Sequence, residues 1–160
     1  MTMTIRSVGI CASVIALAID QGSKALVIAN AETLTTSVPI FPGFNLTFHR
    51  NYGIMFGFLQ NVPWWILAVL ATVIVLFLVF SLIRATRKAE TIAYGIVIGG
   101  ALGNIVDRLR FGGVTDFLDF YLGTAHWPAL NLADVFVVCG VGVLLVATGR
   151  EKTASATSKR

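Results

Sequence analysis

Apolar residues in this chain gather into four long runs, separated by segments rich in polar residues, proline and glycine. A helix that crosses a bilayer needs roughly 20 mostly apolar residues. Four stretches meet or approach that length, at about 5–29, 63–83, 91–107 and 129–148. The second run contains no charge. The first holds Asp20 and Lys24 in its later half, the fourth has Asp134 near its start, and the third carries Gly95, Gly99, Gly100 and Gly103. Small residues spaced four apart let two membrane helices approach closely, so Gly95, Gly99 and Gly103 predict a packing face. The opening run "VGICASVIALAI" shows no small-x-small cleavage pattern before Asp20, and it reads as a retained span rather than a cleavable signal peptide.

Between the runs lie two outer segments, 30–62 and 108–128. In the first, "FNLTFHRN" alternates Phe44, Leu46 and Phe48 against Asn45, Thr47 and His49, the period of a strand. The prolines and glycine of "VPIFPGF" punctuate a turn before it. In the second, Phe117, Phe120, Tyr121 and Trp127 suit the membrane–water interface, where amphipathic rings settle, and a loop or helix is expected. The expected fold is therefore an all-α membrane protein of four transmembrane helices. It carries a small extracytoplasmic β-sheet and a second outer loop or helix. Residues 1–150 form one domain and 151–160 a disordered cytoplasmic tail.

Composition agrees: 56% of residues are hydrophobic, 12% are charged and the mean hydropathy is +0.83. Soluble domains carry about 25% charged residues. The formal net charge of +4 comes without a basic stripe interleaved with aromatics, so nucleic acid is not an expected partner. Lys and Arg instead flank the runs, and by the positive-inside rule they set orientation. Arg6, Arg84, Arg87, Lys88, Arg150, Lys152, Lys159 and Arg160 fall on one side, which places both termini in the cytoplasm. Cys11 and Cys139 lie inside apolar runs and read as small buried hydrophobes.

An aspartate near the centre of a span costs roughly 2.5–3.5 kcal/mol, less toward its ends, so such a group needs partners, water or a function. Asp134 in "NLAD" and Asp116 in "GGVTDF" fall at similar depth if the chain turns back between the last two runs. Two facing carboxylates share one proton. One then takes a proton from water while the other donates to a carbonyl oxygen, which is peptide hydrolysis without a covalent intermediate. The plainer alternative makes Asp134 a helix cap and Asp116 a solvated loop acid. Asn104 and Arg108, four apart, share one helical face, as do Asn131 and Asp134, three apart. Asp107 and Arg108 are adjacent and point about 100° apart on a helix, so they need not pair. Asp119 is expected to be solvated or interfacial. His49 and His126 lack ligand spacing with any acid or cysteine, and no metal is expected. No Ser or Cys carries a nearby histidine in a nucleophile pattern. A small transporter or channel subunit could use the same Asp, Asn and Arg cluster as an ion or proton relay, and a membrane scaffold would leave the two acids replaceable.

Five motifs in order complete the picture: "DQGSK" (20–24), "NYGIMFG" (51–57), "GGALGNIVDR" (99–108), "GGVTDFLDF" (112–120) and "NLADVFV" (131–137). Together they resemble the bacterial lipoprotein signal peptidase family, or signal peptidase II, integral-membrane aspartic peptidases. The resemblance implies Asp116 and Asp134 as the catalytic dyad, and Asn51, Asn104, Arg108 and Asn131 as substrate-binding or supporting residues. It implies structural roles for Asp20, Lys24, Asp107 and Gly100. The implied substrate is a prolipoprotein cut just before its diacylglyceryl-modified cysteine, by a monomer without cofactors in the bacterial inner membrane, with the site near the extracytoplasmic face. Ile54 and Met55 stand where that family has small residues and Leu130 where it has an aromatic, which bears on pocket shape.

Overall fold

A computed structural model describes residues 4–53 and 62–157, with side chains in the last helix to residue 147. Among these described residues, three helices are long and apolar enough to cross a membrane: α1 (Ile5–Ala29), α3 (Trp64–Arg84) and α4 (Lys88–Phe111). A single helical turn, α2 (Ala31–Leu34), follows α1. The last helix, α5 (Leu132–Thr157), contributes a shorter apolar stretch over Leu132–Ala147. Its backbone continues through 151–157, where the sequence reading expects a disordered tail.

α4 is the central helix. Half of its most apolar stretch is buried (50%), against 22% in α1 and α3, and it packs on α1, α3 and α5. Its glycines explain how a helix can be surrounded so closely. A Cβ on Gly95 would overlap the backbone of Gly9 in α1, and one on Gly99 would overlap Ser13. Gly100 faces the other way, where a Cβ would sit 2.6 Å from the Ala133 carbonyl oxygen of α5. The expected packing face is thus present. Val75 and Leu82 of α3 meet Ile98 and Ile105 of α4 in an apolar cluster. The outward faces keep Val73, Leu76, Phe77 and Phe80 more than half exposed. In water so large an apolar surface would drive association; in lipid it is the natural solvent-facing side.

Cys11 and Cys139 are exposed, not buried as composition suggests. Their runs are apolar on every side, so sequence alone does not say which face turns inward.

β1 (Val38–Phe41), β2 (Phe44–Asn51), β3 (Val114–Leu122) and β4 (Ala125–His126) pair antiparallel in the order β1-β2-β3-β4. The second outer segment is therefore strand, not the loop or helix expected. "VTDFLDFYL" is rich in β-branched and aromatic residues. Those aromatics suit a membrane interface equally well, which is why the sequence leaves the segment open to the other reading. α4 stops at Gly112, whose φ of +70° is easy only for glycine and whose N–H bonds back to Arg108 O at 2.9 Å.

The β2–β3 register contains the feature that matters most for the site. Leu46 pairs with Leu118 and His49 with Asp116, so β2 spends three steps where β3 spends two. One extra residue reverses the alternation of side chains along β2. Asn45 and Asn51 would share a face on a regular strand. With the bulge, Asn45 meets Asp119 on one side and Asn51 meets Asp116 on the other.

Candidate active site

Asn131 caps α5, and Asp134 is the helix's third residue. The Asn131 side-chain oxygen accepts from the Asp134 N–H (3.2 Å), and Asp134 Oδ2 accepts from the Asn131 N–H (3.2 Å). This reciprocal capping box satisfies two N–H groups that a helix start otherwise leaves unpaired. Asp134 thus closes the helix start as the partner of the Asn131 cap rather than as the cap itself, and only one of its oxygens is used there. The other, Oδ1, accepts from Asn104 Nδ2 of α4 at 2.9 Å.

Asp116 is no solvated loop acid: it is 2% exposed, near the start of β3. Its Oδ1 accepts from Asn131 Nδ2 (2.6 Å) and its Oδ2 from Asn51 Nδ2 (2.9 Å). Asn131 thus touches both acids, through its side chain to one and its backbone to the other. Burial pushes the Asp116 carboxyl up to about 6, reinforced by the charge of Asp134 and opposed by the amides of Asn51 and Asn131.

Both carboxylates line a cavity of about 320 Å³, together with Asn51, Asn104 and Arg108. Ile74, Leu78, Val97 and Val137 supply an apolar wall. Arg108 reaches it as the helical spacing predicts, donating to Asn104 O (3.3 Å) and Gly53 O (3.0 Å). Asp107 points elsewhere, its Oδ2 accepting the Thr115 N–H at 2.8 Å. All six residues expected at the site are therefore brought together. Leu130 contributes through its backbone, whose C=O accepts from Phe117 and Leu118 and whose N–H donates to Leu118 O (2.9, 2.8 and 3.1 Å). A change of side chain there leaves those bonds in place. Ile54 and Met55 lie outside the described residues.

Two features escape the sequence reading. Asp119 is buried rather than solvated, accepting from Asn45 Nδ2 (2.9 Å) and standing 2.9 Å from His126 Nδ1. His126 therefore has an acid partner after all, supplied by a β3–β4 hairpin that the sequence pattern does not announce. Gln21 bridges Asp20, Asp107 and the Gly103 carbonyl (3.1, 3.3 and 3.1 Å). In sequence it stands inside "DQGSK", where the pattern assigns it no role.

Long apolar helices, an antiparallel sheet and two amide-held carboxylates at one cavity define a membrane protein with a buried polar site. Comparison with known proteins carries this further. The family described as Signal peptidase (SPase) II matches residues 12–149. The lipoprotein signal peptidase of Photorhabdus laumondii subsp. laumondii is 43% identical over 138 residues, 83% of this chain and 82% of its own length. That of Nitratidesulfovibrio vulgaris is 41% identical over 152 residues, 91% of each. A solved structure described as a bacterial membrane enzyme superposes with a TM-score of 0.80 at 28% identity, covering 91% of this chain and 90% of that one. The chain belongs to the signal peptidase II family and is a membrane protease of lipoprotein processing.

Proposed function

We propose that this chain is an aspartic endopeptidase that removes the signal peptide from diacylglyceryl-modified prolipoproteins, cutting before the lipidated cysteine. The observation that carries this reading is Asn131, which holds Asp116 through its side chain and Asp134 through its backbone at one cavity. In the proposed reaction the pair carries one proton. The ionised carboxylate takes a proton from water as the water oxygen attacks the scissile carbonyl carbon, and the protonated one donates to the carbonyl oxygen. As the C–N bond breaks, the amine nitrogen takes a proton from one member of the pair and a hydroxyl of the tetrahedral intermediate returns its proton to the other. The products are a signal-peptide carboxylic acid and a lipidated cysteine amine, which ionise to carboxylate and ammonium, and the pair again holds one proton. Arg108 and the amides of Asn51 and Asn104 hold the peptide backbone and its developing charge.

α5 serves as the fourth span in this reading, with both termini cytoplasmic and the sheet and site extracytoplasmic, in a monomer of the inner membrane. The apolar wall formed by α3, α4 and α5 receives the acyl chains of a substrate that arrives by diffusion in the membrane plane. Purified enzyme incubated with one precursor, in lipidated and unlipidated form, tests the substrate class. Lipidated precursor is expected to be turned over at least about tenfold faster, since each buried CH₂ contributes about 0.8 kcal/mol. Equal turnover of the two forms would remove the lipid from recognition.

The acid pair also fixes a pH response. Activity falls on the alkaline side as the pair loses its proton, in a range set by Asp116 at about 6. The Asn51 amide bonds the Asp116 carboxylate and so favours its charged form. Asn51→Ala removes that donor, raises the Asp116 pKa and moves the alkaline limb of kcat/KM to higher pH. A limb that stays or moves to lower pH speaks against Asp116 as its source.

A further inference from the structure

Three charged side chains lie behind the acid pair with almost no exposure: Asp20 (0%), Lys24 (1%) and Asp107 (1%). Lys24 Nζ stands 2.9 Å from Asp20 Oδ2 and 3.7 Å from Asp107 Oδ2. An ion cluster of this kind is costly to bury and is weak evidence for stability by itself. Gln21 bridges its two acids, and three further bonds lead from it to the acid pair. Asp20 Oδ1 accepts the N–H of Ala133 (2.9 Å), the residue before Asp134. Asp107 Oδ2 accepts the N–H of Thr115 (2.8 Å), the residue before Asp116. Lys24 Nζ donates to Asn104 Oδ1 (2.8 Å), whose Nδ2 donates to Asp134 Oδ1.

The last link has a chemical consequence. An asparagine amide can turn end over end, presenting either its oxygen or its NH₂ to a neighbour. An ammonium has donors only and no acceptor. With Lys24 on one side of Asn104, the amide oxygen must face the lysine and the NH₂ must face Asp134. Turned round, two donors would oppose each other and the Asp134 carboxylate would face an oxygen.

We infer that Lys24 is a positioning residue for peptide hydrolysis, acting through Asn104 to present an N–H to Asp134, while its partners Asp20 and Asp107 pin the backbone before each member of the acid pair. This rests on the acid-pair reading above. The role is separable from mere neutralisation. Replacing Lys24 and Asp20 together, as Lys24→Met/Asp20→Asn, removes one charge of each sign and leaves the net buried charge unchanged. The amide oxygen introduced by Asp20→Asn can still accept the Ala133 N–H.

The test compares this double variant with the native enzyme in detergent, on a lipidated precursor. The expected result is a folded protein with KM within about twofold and kcat lower by about 10²-fold, the loss typical of a misplaced active-site group. A stable double variant with near-native kcat would show that Lys24 only neutralises charge, and would overturn the inference. Should the double variant fail to fold, the native enzyme decides. Held between a cation and a carboxylate, the Asn104 side-chain NH₂ exchanges slowly with deuterium, whereas exchange as fast as that of an exposed asparagine would overturn the inference. The two levels of the proposal separate cleanly. An active Asp134→Asn variant defeats the acid-pair reading, whereas an inactive Asp134→Asn beside a fully active double variant defeats only the role of Lys24.

Discussion

Asp116→Asn and Asp134→Asn are each expected to reduce cleavage of a lipidated precursor by at least about 10³-fold, within the range general acid–base groups supply. Asparagine keeps the shape of the side chain but neither takes a proton from water nor gives one to a carbonyl. The fold is expected to survive. In Asp134→Asn the side-chain oxygen still accepts the Asn131 N–H and so keeps the capping box, while the new NH₂ meets the Asn104 NH₂ at a cost of about 1–3 kcal/mol. In Asp116→Asn an NH₂ meets one of two amide donors, Asn51 or Asn131, at a cost of about 1–3 kcal/mol unless that amide turns. Relief of charge repulsion between the acids offsets part of this. Insertion and thermal unfolding, measured beside activity, separate loss of chemistry from loss of fold. A variant that unfolds when its acid is replaced would assign that residue to structure.

The second large effect concerns stability. Lys24→Met alone leaves Asp20 and Asp107 buried without their cation, in a part of the protein that water hardly reaches. Breaking a buried ion pair from one side costs about 3–5 kcal/mol. For a chain of this length that corresponds to a fall in Tm on the order of 10 °C, read by thermal unfolding in detergent. Adding Asp20→Asn is expected to recover most of the loss, because the uncompensated charge goes with it. If Lys24→Met leaves Tm unchanged, the lysine does not stabilise the buried cluster.

The helices are legible in the sequence because lipid imposes a length and a composition that few other structures satisfy. Gly95, Gly99 and Gly103 are legible because their spacing repeats with the helix. Asp134 stands out because "NLAD" interrupts an apolar run, and Asn104 and Arg108 because four residues bring side chains to one face. Asp20 and Lys24 share that spacing, yet Asp107 completes their cluster from another helix, and no local pattern announces it. The sheet is half legible. β2 alternates cleanly, whereas β3 sits between α4 and the final helix with aromatics that suit an interface equally well. The bulge between Leu46 and His49 leaves no trace in sequence, though it alone turns Asn51 toward Asp116 while Asn45 turns toward Asp119. Asp119 reads as solvated in the sequence because its partners, Asn45 and His126, come from strands on either side of it. Long-range pairing is what sequence spacing conveys least.

The most direct measurement is single-turnover cleavage of one diacylglyceryl-modified precursor by Asp116→Asn, Asp134→Asn and the double variant. If the carboxylates act as one unit on one water, losing the second costs nothing more, as happens for groups that work together. The account predicts the same background rate for all three proteins. Losses that multiply in the double variant, or substantial cleavage by either single one, would mean that the two carboxylates do not share the chemistry.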